Sequence, residues 1–232
     1  MGVERVVHGV RVAAVSEVNS AQYDALVLVT SPGLAPPQAL EDFVADARQL
    51  DADLDKTTCV LRCTRVSGAR LVLSGTGALS PYDDVRSVRD AARAGLLRAA
   101  AAGATRPVLV LQPHARWADA ELVALLAALE VLYVPLQIRE SFPEQAHKLS
   151  ALGVYAEGLR TPLDELLREA AALDIARGVA RDIGGADPER MTPLRTAAYL
   201  RDVFACVCVC TVLYAWRAGA WRATSAARTR SA

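Results

Sequence analysis

Residues 25–29 read Ala-Leu-Val-Leu-Val, an apolar run without a polar interruption, closed by Ser31-Pro32-Gly33. A short run of branched apolar residues suits a strand covered on both faces, because no alternation marks a solvent side. The pattern recurs at 71–73 and at 108–111, the latter opened by Pro107. Between these runs lie segments with helical spacing at 39–50, 83–102 and 118–133. Fully apolar strands separated by amphipathic helices leave few architectures open, and the α/β layered sheet is the one that covers both faces of each strand. Residues 59–64 alternate more, and Ser67-Gly68 joins them to 70–73 as a hairpin, so the sheet is expected to be mixed. Residues 10–15 open the sheet and 152–155 close it. The stretch 135–149 supports no single assignment.

The helix over 83–102 is the clearest. Val85, Val88, Ala92, Leu96 and Ala99 fall on one face, Arg86, Arg89, Asp90 and Arg93 lie elsewhere, and Gly103 supplies the stop. The three arginines read as a solvated face. Thr161-Pro162-Leu163-Asp164 carries a start signal: a threonine that can cap a free N–H, and a proline whose missing N–H is no loss at the first helical position. A long helix should run from there to about residue 183 and stop at Gly184-Gly185, with Leu163, Leu166, Leu167, Ala170, Leu173 and Ala176 as its buried stripe. Thr192-Pro193-Leu194 repeats the signal for a helix through Phe204. From residue 205 the composition changes. Three of the five cysteines lie there and no acid follows Asp202, so residues 205–232 are expected to be an unpacked tail unrelated to what precedes them.

The chain has 232 residues, 53% hydrophobic and 22% charged, which is incompatible with disorder over most of its length. Lys+Arg and Asp+Glu are both 26, so the basic excess on which nucleic-acid binders rely is missing, and no nucleic-acid partner is expected. The N-terminus has no apolar segment behind a basic one. The apolar run at 203–216 is shorter than the roughly 20 residues that a bilayer requires. A cytoplasmic protein with reduced cysteines and no membrane partner is the expectation.

Individual motifs give little chemistry. Gly75-Thr76-Gly77 after a strand could present N–H groups to a phosphate, but the third glycine of the dinucleotide fingerprint is absent near Ser80, and a tight turn before a helix is the plainer reading. Cys206, Cys208 and Cys210 would share one side of a strand, without the Cys-x-x-Cys pairing or the nearby histidine of common zinc sites. His114 follows an apolar strand, where open α/β sheets place ligands, yet a lone histidine beside Arg116 and Trp117 reads as a surface loop.

The segment Asp182-Ile183-Gly184-Gly185-Ala186-Asp187-Pro188-Glu189-Arg190-Met191-Thr192-Pro193 resembles the junction between the two domains of leucyl aminopeptidases, the cytosol aminopeptidase family, and is closest in wording to an animal aminopeptidase-like branch. The usual family form has Asn-Thr-Pro where this chain has Gly185-Ala186-Asp187. Leu71-Val72-Leu73-Ser74-Gly75-Thr76-Gly77 and the helix after it resemble the family's N-terminal domain.

The resemblance implies a macro-domain-like α/β domain over 1–160 with a mixed sheet flanked by helices. A long linker helix and the first catalytic-domain helix would follow over 161–204. Full-length relatives remove N-terminal residues from peptides with two metal ions, zinc or manganese, held by a lysine and several carboxylates. The block Asn-Thr-Asp-Ala-Glu-Gly-Arg does not occur here and no lysine follows Lys148. No catalytic, cofactor or metal residue is therefore carried over, and the chain reads as a truncated form, inactive alone. Peptide substrates belong to the full-length relatives, and the expected partners are a second copy or full-length subunits. Should activity appear, His114, Asp187 and Glu189 are the first suspects. The alternative function is a module that binds an ADP-ribose-type nucleotide.

Overall fold

The structure is a computed structural model. It describes residues 4–32 and 34–217, with side chains as far as residue 205. The strands are β1 (Glu4–Val7), β2 (Val10–Ala14), β3 (Ala25–Thr30), β4 (Thr58–Arg62), β5 (Arg70–Gly75), β6 (Pro107–Leu111) and β7 (Ala151–Ala156). The α-helices are α1 (Glu41–Leu50), α2 (Arg86–Ala101), α3 (Ala120–Leu132), α4 (Leu136–Ser141), α5 (Leu163–Gly185) and α6 (Pro193–Arg217).

The seven strands form one sheet in the order β1-β2-β7-β6-β3-β5-β4. The inner strands from β2 to β5 run parallel, and the two edge strands run antiparallel to their neighbours. The sheet is mixed, as the hairpin at 59–73 requires. Every residue of β3 and β6 is buried, because helices cover both faces. On one face Val27, Leu109 and Leu152 pack with Leu96 of α2, Leu125 of α3 and Leu167 of α5. On the other, Leu26, Leu28 and Val110 pack with Val44 of α1.

Local signals explain the elements. His8 and Gly9 both have positive φ (50° and 78°), the two-residue hairpin geometry whose twist matches the flanking strands. This turn creates β1, an element without an apolar run of its own. Gly103, at φ 83°, closes α2. The Ala104 N–H donates to the Ala99 carbonyl and the Gly103 N–H to the Ala100 carbonyl, satisfying carbonyls that the helix end would orphan. Residues 120–141 are long and apolar enough to cross a membrane by composition. They comprise α3, apolar around most of its circumference because it lies between α2 and the sheet, and the separate α4 beyond Pro135.

Two compact units divide the chain, Met1–Asp182 and Ile183–Ala232. The first holds the sheet and most of α5. The expected stripe on α5 is right in its first half, where Leu166, Leu167 and Ala170 are buried. Leu173 is 43% exposed and Ala176 faces solvent. Asp174, Gly178 and Asp182 face inward instead, a four-residue step that keeps to one side of a helix. In the second unit the Thr192 hydroxyl accepts the Arg195 N–H (3.3 Å), as its capping role requires. Helix α6 does not stop at Phe204. It continues to Arg217, so Cys206, Cys208 and Cys210 lie on a helix rather than a strand. Residues 218–232 of the expected tail lie outside the described residues.

Candidate functional site

After β3 the chain turns to α1 on one face, and after β6 it turns to α3 on the opposite face. Neighbouring parallel strands whose connections leave in opposite directions open a crevice at their C-terminal ends, where open α/β sheets take ligands. Four buried polar side chains at this edge keep an atom without a hydrogen-bond partner: Thr30 Oγ1, Ser31 Oγ, Gln112 Oε1 and His114 Nε2. Buried polar groups are normally satisfied, so this concentration at one edge marks the crevice as the candidate site.

His114 is not a surface residue: only 2% of it is exposed. Its Nδ1 accepts the Arg116 backbone N–H (3.0 Å), which places the ring proton of the neutral form on Nε2. Its ring stacks on Trp117 with centroids 4.3 Å apart, and the Arg160 guanidinium donates to its carbonyl (3.1 Å). Burial first, then the charges of Arg116 and Arg160, hold its pKa below the ordinary histidine value. The imidazole is thus a neutral donor near pH 7.

The Gly75-Thr76-Gly77 turn offers no phosphate cradle. The Gly75 N–H donates to the Thr57 carbonyl, that of Thr76 to Thr30 and that of Gly77 to Asp55. Nor does the turn open a helix, since α2 begins at Arg86. Gly75 is required for a different reason: a Cβ there would lie 2.0 Å from the Asp55 carbonyl oxygen.

The arginines of α2 are only partly a solvated face. Arg86 is paired locally with Asp84, while Arg89 reaches Glu130 of α3 at 3.0 Å. Glu121, in the first turn of α3, is only 5% exposed, with Oε1 unpartnered. Asp187 and Glu189 belong to the second unit. The Asp187 carboxylate accepts the N–H groups of Glu189 (3.1 Å) and Arg190 (2.9 Å) and pairs with the Arg190 guanidinium (2.6 Å). These bonds lower its pKa and commit it to shaping the turn before α6.

Sequence reasoning missed a second polar group, at the opposite ends of the parallel strands. The His8 imidazole Nε2 lies 2.8 Å from Asp174 Oδ2, and Asp174 is 0% exposed. Asp182 accepts the Tyr133 hydroxyl (2.8 Å) and Arg139 Nη2 (2.5 Å). Burial and the Asp182 bond push the Tyr133 phenol up to about 12. The two-residue turn at His8-Gly9 and the 174–178–182 spacing were the available signals.

A search of protein-family models matches none. The chain is 36% identical over 205 residues, 84% of its length, to a Caenorhabditis elegans protein described as "putative aminopeptidase W07G4.4". Its fold matches a tomato leucine aminopeptidase mutant with a TM-score of 0.58 over 87% of the chain, at 15% identity. The chain belongs to the leucyl aminopeptidase family. It spans 39% of the nematode relative's length and 42% of the tomato chain. The observed mixed α/β sheet is thus the fold that the family resemblance implied. No group of three or more His, Cys, Asp and Glu able to hold a metal occurs among the described residues.

Proposed function

We propose that this α/β segment serves an aminopeptidase-family protein as a non-catalytic domain, and that removal of N-terminal residues from peptides needs family sequence beyond these 232 residues. The observation that carries the reading is the 36% identity over 205 residues to the nematode protein, of which this chain spans 39%. The residue inventory supports it. A two-metal centre needs several carboxylates converging on ions about 3.5–4 Å apart, and among the described residues no group of three or more His, Cys, Asp and Glu is gathered to hold a metal. Asp174 and Asp182 bond His8, Tyr133 and Arg139, and Asp187 holds its own turn. No step of metal chemistry is therefore derived on this chain.

The test is an assay of the purified chain with added manganese or zinc on a leucyl chromogenic substrate. No release above the metal blank is expected. Turnover that follows the chain through purification and disappears on chelation would overturn the reading. Substitution of His114, Asp187 and Glu189 would then locate the active site.

A further inference from the structure

Beside the start of α1, at the C-terminal ends of β6 and β7, lies an open cavity of about 250 Å3. Val110 is part of its apolar lining, with Ala35 and Pro37. Its charged lining residues are two carboxylates, Glu41 and Glu157. Among the described residues no Lys or Arg lines it. Arg65 donates to the Ala39 carbonyl (3.5 Å) from outside the lining.

The buried Gln112, 8% exposed, also lines this cavity. Its Nε2 donates to the Ala35 carbonyl at 2.6 Å. That bond fixes the amide orientation, because the reverse would set oxygen against oxygen. Oε1 is then left as a buried acceptor without a partner. Glu157 is held in place from two sides: one oxygen accepts the Tyr155 hydroxyl and the other the Gln38 backbone N–H (3.3 Å). The position where a doubly wound fold would take a nucleotide thus offers acceptors and negative charge. A pyrophosphate would meet two carboxylates and no compensating cation.

We propose that this cavity binds a small primary alkylammonium ligand. Its N–H groups would be shared by Gln112 Oε1, Glu157 and Glu41, and its stem would rest on Val110, Ala35 and Pro37. An ammonium carries three donors and no acceptor, matching the unpaired amide oxygen and the carboxylates at once. An apolar stem matches the remaining wall. The site goes beyond the family reading and does not depend on peptidase chemistry.

The experiment titrates the full chain with n-butylammonium at constant ionic strength, read by calorimetry and amide chemical shifts. 1-Butanol, butyrate and ADP-ribose are the controls. Saturable binding is expected with a Kd on the order of a millimolar, in keeping with so few heavy atoms. A Glu41→Gln/Glu157→Gln variant should weaken it about tenfold or more, with an unchanged unfolding midpoint showing that the fold is intact. Absence of saturable binding, equal binding of 1-butanol, tighter binding of butyrate or ADP-ribose, or indifference to the double substitution would each overturn the proposal.

Discussion

The two ends of the parallel strands treat polar groups in opposite ways. At the C-terminal ends, Thr30, Ser31, Gln112 and His114 are buried with unpartnered atoms. At the N-terminal ends the polar groups are mostly tied to one another. Asp24 accepts the backbone N–H groups of Thr105 (2.7 Å) and Arg106 (3.0 Å), His8 meets Asp174, and Tyr133 and Arg139 meet Asp182. One edge pairs most of its polar groups and holds α5 to the sheet, with only Asp174 Oδ1 and Arg181 Nη1 left over, while the other leaves four side chains with open capacity beside a cavity. The division teaches where to look for stability and where for binding, because a satisfied network contributes rigidity and an unsatisfied one awaits a partner.

The largest effect should come from the closed edge. His8→Ala would leave the fully buried Asp174 carboxylate without the imidazole, and an uncompensated buried charge costs about 3–5 kcal/mol. Urea unfolding at pH 7 should show a midpoint lowered to match. A loss within about 0.5 kcal/mol, the range of ordinary surface changes, would break the comparison by showing that the closed edge is not structural.

A smaller effect with a definite sign is expected at the open edge. The folded pKa of His114 lies below the unfolded value of 6.5, chiefly through burial. The unfolded chain therefore binds the extra proton first as pH falls. The contribution from keeping His114 neutral is fully present above the unfolded pKa and is lost as pH falls from there through the folded pKa. His114→Gln should flatten that part of the stability–pH curve, measured as urea midpoints across the acid range. An unchanged slope would place the titration on another group.

The contrast also explains which features were legible in the sequence. The strands at 25–29 and 108–111 and the helix over 83–102 follow from periodicity, since burial on two faces or one stripe writes itself into residue type. Edge strand β1 has no such run: Val7 is buried while Glu4 and Val6 are exposed. Only the turn conformation at His8-Gly9 reveals it. On α5, hydrophobicity points to Leu173 and Ala176, but partners on other elements draw Asp174 and Asp182 inward instead. A buried carboxylate is legible only with its partner, and His8 lies 166 residues from Asp174. His114 looked exposed for the same reason: Trp117 stacks on it and Arg160 arrives from beyond β7.

The smallest expected effect is the sharpest test of the open edge. Gln112→Leu replaces an amide that makes one bond, to the Ala35 carbonyl, and leaves its oxygen unsatisfied. The substitution removes a desolvated acceptor and adds apolar surface of similar size beside Val110. It also takes one donor from a carbonyl on an exposed residue that water can reach. These terms oppose each other, so the net change should stay within about 1 kcal/mol of zero, well short of the His8→Ala loss. The same substitution should weaken n-butylammonium binding, because the ammonium loses its buried acceptor. Unchanged stability with weakened binding is the signature of a residue kept for a ligand. A loss as large as that of His8→Ala would mean that Gln112 is a structural tie, and that the open edge differs from the closed one only in bookkeeping of partners.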